Sequence, residues 1–208
     1  MEQRFEFSKG KLTKDLLPKD PQHLFEDWVK VAQDEKVSEY NAFVLGTLGL
    51  DERISSRIVY MRGISDQGLI FFTNYYSRKG TESLENNHVS VNFFWRDLER
   101  QINLEGTIEK VTEEVSDAYF NSRPRESQIG AWASEQSQEI ADRGYLEERV
   151  AKFEKEYEGK DVPRPPHWGG YVIVPDYVEF WQGRNSRLHD RFVYSKSDHN
   201  WEIKRLAP

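Results

Sequence analysis

The stretch EFWQGRNSRLHDRFVY, residues 179–194, carries Arg187, His189 and Arg191 at alternate positions. Read as a strand, that spacing puts all three on one face, about 7 Å apart, with Leu188, Asp190 and Phe192 on the other. Two fixed cations and a titratable imidazole in a row repel one another unless they face open water or something negative. FFTNYYSRKG, residues 71–80, poses a similar question: Ser77 would cap a short helix, and Arg78 and Lys79 would occupy its first turn. Cations there oppose the helix dipole at a cost of roughly a few tenths of a kcal/mol if they stay solvated. A bound phosphate removes the conflict by collecting the free N–H groups and both side chains. Arg57 stands in an otherwise apolar strand and needs a partner. In AYFNSRPRESQIGAW, residues 118–132, Tyr119 ends a helix and Arg123, Arg125 and Ser127 follow in a loop. They could ring a second phosphate, although loop arginines are usually solvated. Two cationic nests and an arginine–histidine strand suggest a site for two phosphate-bearing molecules.

The elements that must position these residues are legible in outline. Residues 1–20 read as a flexible polar arm, and 21–208 as a single domain. Asp20 and Pro21 start a helix whose stripe is Leu24, Phe25, Trp28, Val29 and Ala32. Short strands are expected over 42–50, 55–63 and 68–74, then a helix opened by Ser77, then strands over 88–95 and 100–111. A helix over 112–121 leads into a loop over 122–140, and Leu146, Val150, Phe153 and Tyr157 mark an amphipathic helix. YVIV, YVEFWQG and SRLHDRFVYS read as three further strands, with WEIKRLAP as a last short one. Short strands at even spacing with inserted helices predict a mainly β fold, an α+β antiparallel barrel or meander.

Bulk composition narrows the chemistry. The 208 residues include no cysteine, which removes disulfides, thiolate metal sites and a cysteine nucleophile, so any redox chemistry needs a bound cofactor. The five histidines fall in no metal-ligand spacing, so no metal is expected. A net charge of −7 disfavours nucleic-acid binding over a broad basic surface but leaves room for a local cationic pocket. No apolar run approaches a membrane span and the N-terminus is too polar for a signal peptide, so a cytoplasmic location is expected. The glycine-loop motifs for dinucleotides and nucleoside triphosphates are absent.

The stretches SSRIVYMRG, FFTNYYSRKG, RQINLEG, YFNSRPRESQIGAWASEQS, WGGYVIVP, EFWQGRNSRLHDRFVY and RLAP, in this order from about residue 40 to the end, resemble the pyridoxine 5′-phosphate oxidase family. The resemblance implies an FMN-binding, antiparallel Greek-key split β-barrel that works as a homodimer, each active site being built from both chains. It implies FMN contacts from Arg57, Ile58, Val59, Tyr60, Met61, Arg62, Phe72, Thr73, Arg78, Lys79, Gln101, Gln136, Ser137, Trp181 and Arg191. It implies that Arg62, Tyr119, Arg123 and Ser127 surround the substrate phosphate. Arg187, Leu188 and His189 would lie near the ring, with Arg187 and His189 as the catalytic pair that orients it. Arg62 stands where the family commonly has lysine, and Phe7 where the N-terminal arm often has tyrosine.

The activity implied is oxidation of pyridoxine or pyridoxamine 5′-phosphate by O2 to pyridoxal 5′-phosphate, with release of hydrogen peroxide. A related flavoprotein with another substrate, and a protein that holds FMN or pyridoxal phosphate without turnover, are the competing readings. SRPRESQIGAW and RLHDR argue against the first, since by resemblance they build the vitamin B6 phosphate pocket.

Overall fold

Asp20 and Pro21 begin α1 (Pro21–Asp34) as their chemistry requires: the Asp20 carboxylate accepts the Gln22 N–H at 2.9 Å, and proline takes the first helical position. The stripe Leu24, Phe25, Trp28, Val29 and Ala32 is buried. The structure, a computed structural model, describes residues 6–49, 51–198 and 200–208. The first five residues of the expected arm therefore lie outside the described residues, as do Leu50 and His199.

Strands follow as β1 (Ala42–Leu48), β2 (Ile54–Tyr60), β3 (Gly63–Ser65), β4 (Gly68–Asn74), β5 (His88–Trp95), β6 (Arg100–Lys110), β7 (Trp168–Gln182), β8 (Asp190–Ser197) and β9 (Asn200–Leu206). The main path through the sheet is β2-β1-β5-β6-β7-β4-β3, and every pairing is antiparallel. Its first and last strands are consecutive in the chain, joined only by Met61 and Arg62. A link of two residues cannot cross an open sheet of seven strands, so the sheet must roll up. Met61 N–H bonds Asn41 O and Arg62 N–H bonds Ile70 O, each at 2.8 Å, and these close the seam. Phe43, Phe71, Phe93, Ile102 and Phe180 fill the interior, and Trp28 and Phe25 of α1 cover it.

β7 divides the barrel. One edge pairs with β6 along nearly its whole length, while the other pairs with β4 through Trp168–Ile173 and with β8 through Tyr177–Gln182. The change of partner coincides with a bulge between Glu105 and Gly106, opposite Pro175. Proline is tolerated in a strand interior at such a bulge, where no ladder bond needs its missing N–H. YVIV and YVEFWQG are therefore one strand and not two.

Two further expectations are corrected. The expected loop over 122–140 contains a helix, α4 (Arg125–Ala133), between α3 (Glu113–Ser122) and α5 (Arg143–Glu156). Gly130 and the lack of a side-chain cap hide it from a pattern reading, but Ile129, Ala131 and Ala133 are buried with Phe120, Phe153 and Trp168 in a second core. The strand expected from Ser186 begins only at Asp190. Asn185–Arg187 form a tight 3-10 turn, with Ser186 and Arg187 left-handed at φ 56° and 61°. Strand alternation therefore applies to Arg191 but not to Arg187 or His189.

The bulge makes a specific demand at Gly106, where a Cβ would lie 2.1 Å from Val174 O and 2.8 Å from Pro175 Cα. Both neighbours are backbone, so relief requires moving the strand. Gly106→Ala should destabilise the protein by about 1–3 kcal/mol, read as a lowered denaturant midpoint at unchanged slope.

Candidate functional site

One cleft of about 1010 Å³ opens beside the barrel, between β2, β4, the start of α2 (Arg78–Glu85), the α3–α4 corner and the 134–137 loop. Its lining includes Arg57, Ile58, Val59, Tyr60, Arg62, Phe72, Thr73, Arg78, Lys79, Tyr119, Arg123, Ser127, Gln136 and Ser137. Most of the residues expected to contact cofactor or substrate are thus brought to one place. Met61 is not among them, because its side chain is in the core.

At one end the Ser77 hydroxyl caps α2 by accepting the Gly80 N–H at 3.4 Å. Lys79 turns inward and its Nζ donates to Thr73 Oγ1, Ser77 Oγ and Gln136 Oε1 at 3.1–3.2 Å. All three acceptors are neutral, and burial, with Arg57 adding to it, lowers the Lys79 pKa to about 8. The partner that Arg57 requires is Glu82, whose Oε2 lies 3.3 Å from Arg57 Nη2 while its Oε1 accepts from Arg78 Nε at 2.7 Å. Thr47 and Ser55 donate to the same carboxylate at 2.5 and 2.6 Å. Two cations here share one carboxylate, and the third, Lys79, has none. The Arg78–Glu82 spacing of four residues was a signal in the sequence that could have identified Glu82.

At the other end stand Arg62, Tyr119, Arg123 and Ser127. Arg57 and Arg62 differ in strand parity yet face the same cleft, because β2 stops at Tyr60 and the chain turns at Met61. Arg123 has its pKa lowered by burial, with Arg62 contributing in the same direction, so the two cations are close enough to repel. Arg123 Nη1 is buried with no hydrogen-bond partner among the described residues. Arg125 does not join them: its guanidinium donates to Lys160 O and Tyr157 O at 2.9 and 2.6 Å and fastens the end of α5.

Gln101, Trp181, Arg187, Leu188, His189 and Arg191 do not line this cleft. Gln101, Trp181 and Arg191 lie abreast on β6, β7 and β8. Arg191 is held by the buried Glu179 at 2.7 and 3.0 Å, which raises its pKa. His189 packs on Trp181 with ring centroids 4.5 Å apart, and Phe7 sets its edge against both. The Arg184 N–H donates to His189 Nδ1 at 3.1 Å, so the neutral ring carries its proton on Nε2. Asp190, which alternation sends to the opposite face, is buried there and binds Arg184 and Arg205 together with the Leu12 N–H. Leu188 is 68% exposed.

Glu82 ties the cationic end to acid stability. Burial opposes its ionisation, but hydrogen bonds from Ser55, Thr47 and Arg78 prevail and hold its pKa at about 2, below the ordinary 4.5. A carboxylate lowered on folding stabilises fully above pH 4.5 and loses that contribution as pH falls through about 2. Glu82→Gln should therefore lower Tm by a constant amount above pH 5 or so, and the difference should shrink toward zero as pH approaches 2. Paired thermal scans across that range measure it.

Residues 30–157 match the family model described as pyridoxamine 5′-phosphate oxidase, and residues 168–208 that of the pyridoxine 5′-phosphate oxidase C-terminal dimerisation region. A pyridoxine/pyridoxamine 5′-phosphate oxidase of Chromobacterium violaceum is 52% identical over 207 residues, covering 99% of this chain and 96% of that one. One from Burkholderia multivorans is 48% identical over 208 residues, covering 99% and 97%. Among solved structures, PhzG from Burkholderia lata 383, in complex with tetrahydrophenazine-1-carboxylic acid, superposes with a TM-score of 0.88 at 34% identity, covering 93% of this chain and 95% of that one. A pyridoxamine 5′-phosphate oxidase-related, FMN-binding protein from Nostoc punctiforme shares the fold at a TM-score of 0.73 and 15% identity, covering 92% and 100%. With an antiparallel split barrel, a cleft cationic at both ends and family models matched along most of its length, this chain belongs to the pyridoxine/pyridoxamine 5′-phosphate oxidase family.

Proposed function

We propose that the protein oxidises pyridoxine 5′-phosphate and pyridoxamine 5′-phosphate with O2, giving pyridoxal 5′-phosphate and hydrogen peroxide, and ammonia from the amine, with FMN as cofactor. The observation that carries this reading is one cleft with a cationic group at each end, Arg57, Arg78 and Lys79 at one and Arg62 and Arg123 at the other. Two phosphate-bearing molecules give both groups a counter-charge, and the volume is at the upper end for small-molecule sites.

The residues present fit FMN. The α2 N-terminus and the Lys79 ammonium, hydrogen-bonded only to neutral acceptors, favour a phosphate dianion. Arg57, Arg78, Lys79, Thr73, Gln136 and Ser137 would hold it, with the Ile58–Arg62 backbone and Phe72 beside it, and Gln101, Trp181 and Arg191 contributed from a second copy. When bound, FMN supplies the two-electron acceptor that O2 regenerates. Arg62, Tyr119, Arg123 and Ser127 would bind the substrate phosphate; four donors suit its three oxygens better than they suit a carboxylate. Arg187 and His189, also from the second copy, would orient the pyridine ring. His189 enters as a donor through Nε2–H: burial, then Arg187, lowers its pKa against the pull of Asp190, so the ring is neutral near pH 7.

A homodimer would account for the separation of the two groups. Residues 168–208, matched to a dimerisation region, contain Trp181, Arg187, His189 and Arg191, none of which lines the cleft of their own chain. Ile54, Ile58 and Phe94, 79%, 58% and 55% exposed, give a second copy apolar surface to cover.

Peroxide measured under air with pyridoxine 5′-phosphate and added FMN should appear in equal amount to pyridoxal 5′-phosphate. Turnover of tetrahydrophenazine-1-carboxylic acid alone would move the assignment to the chemistry of PhzG. Arg62→Met should raise KM about 10–150-fold, the loss of a charged hydrogen bond, whereas Arg62→Lys should stay within about tenfold. Because KM tracks affinity only when chemistry is slow relative to release, anaerobic substrate titration accompanies the kinetics.

Lys79 predicts a proton linkage. A lysine lowered to about 8 in the free protein is partly neutral at pH 8.5, and a phosphate beside it restores the charge. FMN binding should therefore take up a fraction of a proton at pH 8.5, seen as a dependence of calorimetric heat on buffer ionisation enthalpy. Lys79→Met should abolish the uptake.

A further inference from the structure

Trp168 belongs to the second core and has no binding role above, yet it lines the cleft while 7% exposed. It opens β7, where it pairs with Asn74. Phe72 and Tyr119 lie nearly parallel to it, at interplanar angles of 12° and 5°, and to each other at a centroid distance of 3.9 Å. The Arg123 guanidinium sits over the Trp168 ring, 4.6 Å from its centroid and nearer than its 5.7 Å to Phe120. Indole is the aromatic face that attracts a cation best, and the attraction strengthens where water is excluded. Beyond the pull of Tyr119, Arg123 has little else to hold it: Nη1 is buried and unpartnered among the described residues, and Arg62 repels it. An arginine free to choose would swing its guanidinium into solvent to satisfy that N–H.

We propose that Trp168 is a positioning residue, a flat platform that holds the Arg123 guanidinium by its face and leaves its N–H edge for an anion in the cleft. The inference rests on the function proposed above for the identity of that anion, the substrate phosphate. The platform acts on the ion through Arg123. Face-on stacking satisfies none of the guanidinium's N–H donors, so they remain available to phosphate oxygens. Order bought before binding also reduces the entropy lost on binding.

The test is equilibrium titration of the FMN-supplemented protein with 4-deoxypyridoxine 5′-phosphate, which has the ring and the phosphate but no alcohol to oxidise and no aldehyde to react with lysines. Parallel titrations use inorganic phosphate. Trp168→Leu should weaken both ligands about tenfold, and Trp168→Phe, which keeps a π face, by no more than about threefold. In turnover, Trp168→Leu should raise KM and leave kcat within about twofold, since binding is changed and chemistry is not. In an Arg123→Met background, Trp168→Leu should have no further effect, because the guanidinium it serves is gone. Wild-type affinity in Trp168→Leu, or an undiminished loss on top of Arg123→Met, overturns the platform. The Phe variant answers the same question should Leu compromise folding: equal loss in Phe and in Arg123→Met also overturns it. A wild-type protein that binds inorganic phosphate but not the pyridine ligand overturns the functional reading, and the phosphate series then judges the platform by itself.

Discussion

The two-residue link between β2 and β3 constrains everything else in this fold. It joins the first and last strands of the main sheet path, so the sheet has to roll until those edges meet at Met61 and Arg62. Rolling creates the interior that Phe43, Phe71, Phe93 and Phe180 fill, and it sends Met61 into that interior. It also breaks the alternation of β2 at the point where Arg62 must turn back toward the side of Arg57. A longer link would allow an open sheet, and the two arginines would then have no reason to meet one cleft.

Charge inside the cleft is arranged by shortage. Arg57 and Arg78 share a single carboxylate, and Glu82 is so heavily hydrogen-bonded that it stays ionised well below the ordinary range. Lys79 is left with neutral acceptors. At the far end Arg62 and Arg123 oppose each other, and one buried N–H of Arg123 goes unmet. Buried polar groups are normally satisfied, so a cleft that leaves its cations under-partnered at both ends is built to receive negative charge. The protein accepts that cost despite a net charge of −7, because the acidic excess lies elsewhere on the chain.

The second group of residues obeys a different rule. Around Arg191 and Asp190 the ion pairs are complete: Glu179 answers Arg191, and Asp190 answers Arg184 and Arg205. The arm is fastened there as well, with the Lys9 N–H on Glu99 at 2.8 Å and the Leu12 N–H on Asp190 at 3.1 Å. The turn that presents Arg187 and His189 is thereby anchored on both sides, at Arg184 and at Asp190, and Ser186 and Arg187 within it are left-handed. Arg187 and His189 are thus fixed outside the cleft of their own chain.

Local chemistry was enough to place much of this. The Asp20–Pro21 start, the Ser77 cap and the β5 boundaries follow from caps, alternation and turn residues within a few positions of one another, and the structure has them where the sequence alone puts them. The cationic nests were visible too, because an arginine in an apolar strand and cations in a first helical turn are conflicts that can be seen without coordinates. Long-range facts were not. That Glu82 is the partner of Arg57 depends on α2 lying across β1 and β2, and that Arg125 leaves the cleft depends on where α5 ends. β7 runs through Pro175 only because its pairing with β6 is bulged there, with Asp176 left over between Pro175 and Tyr177. Alternation assumes regular backbone and so reads the arginine–histidine row as a strand, whereas Ser186 and Arg187 take left-handed angles. Side-chain types and local spacing determined which residues carry the charge; which of them share a cleft was decided by closure of the barrel, because closure brings together positions that no local rule relates.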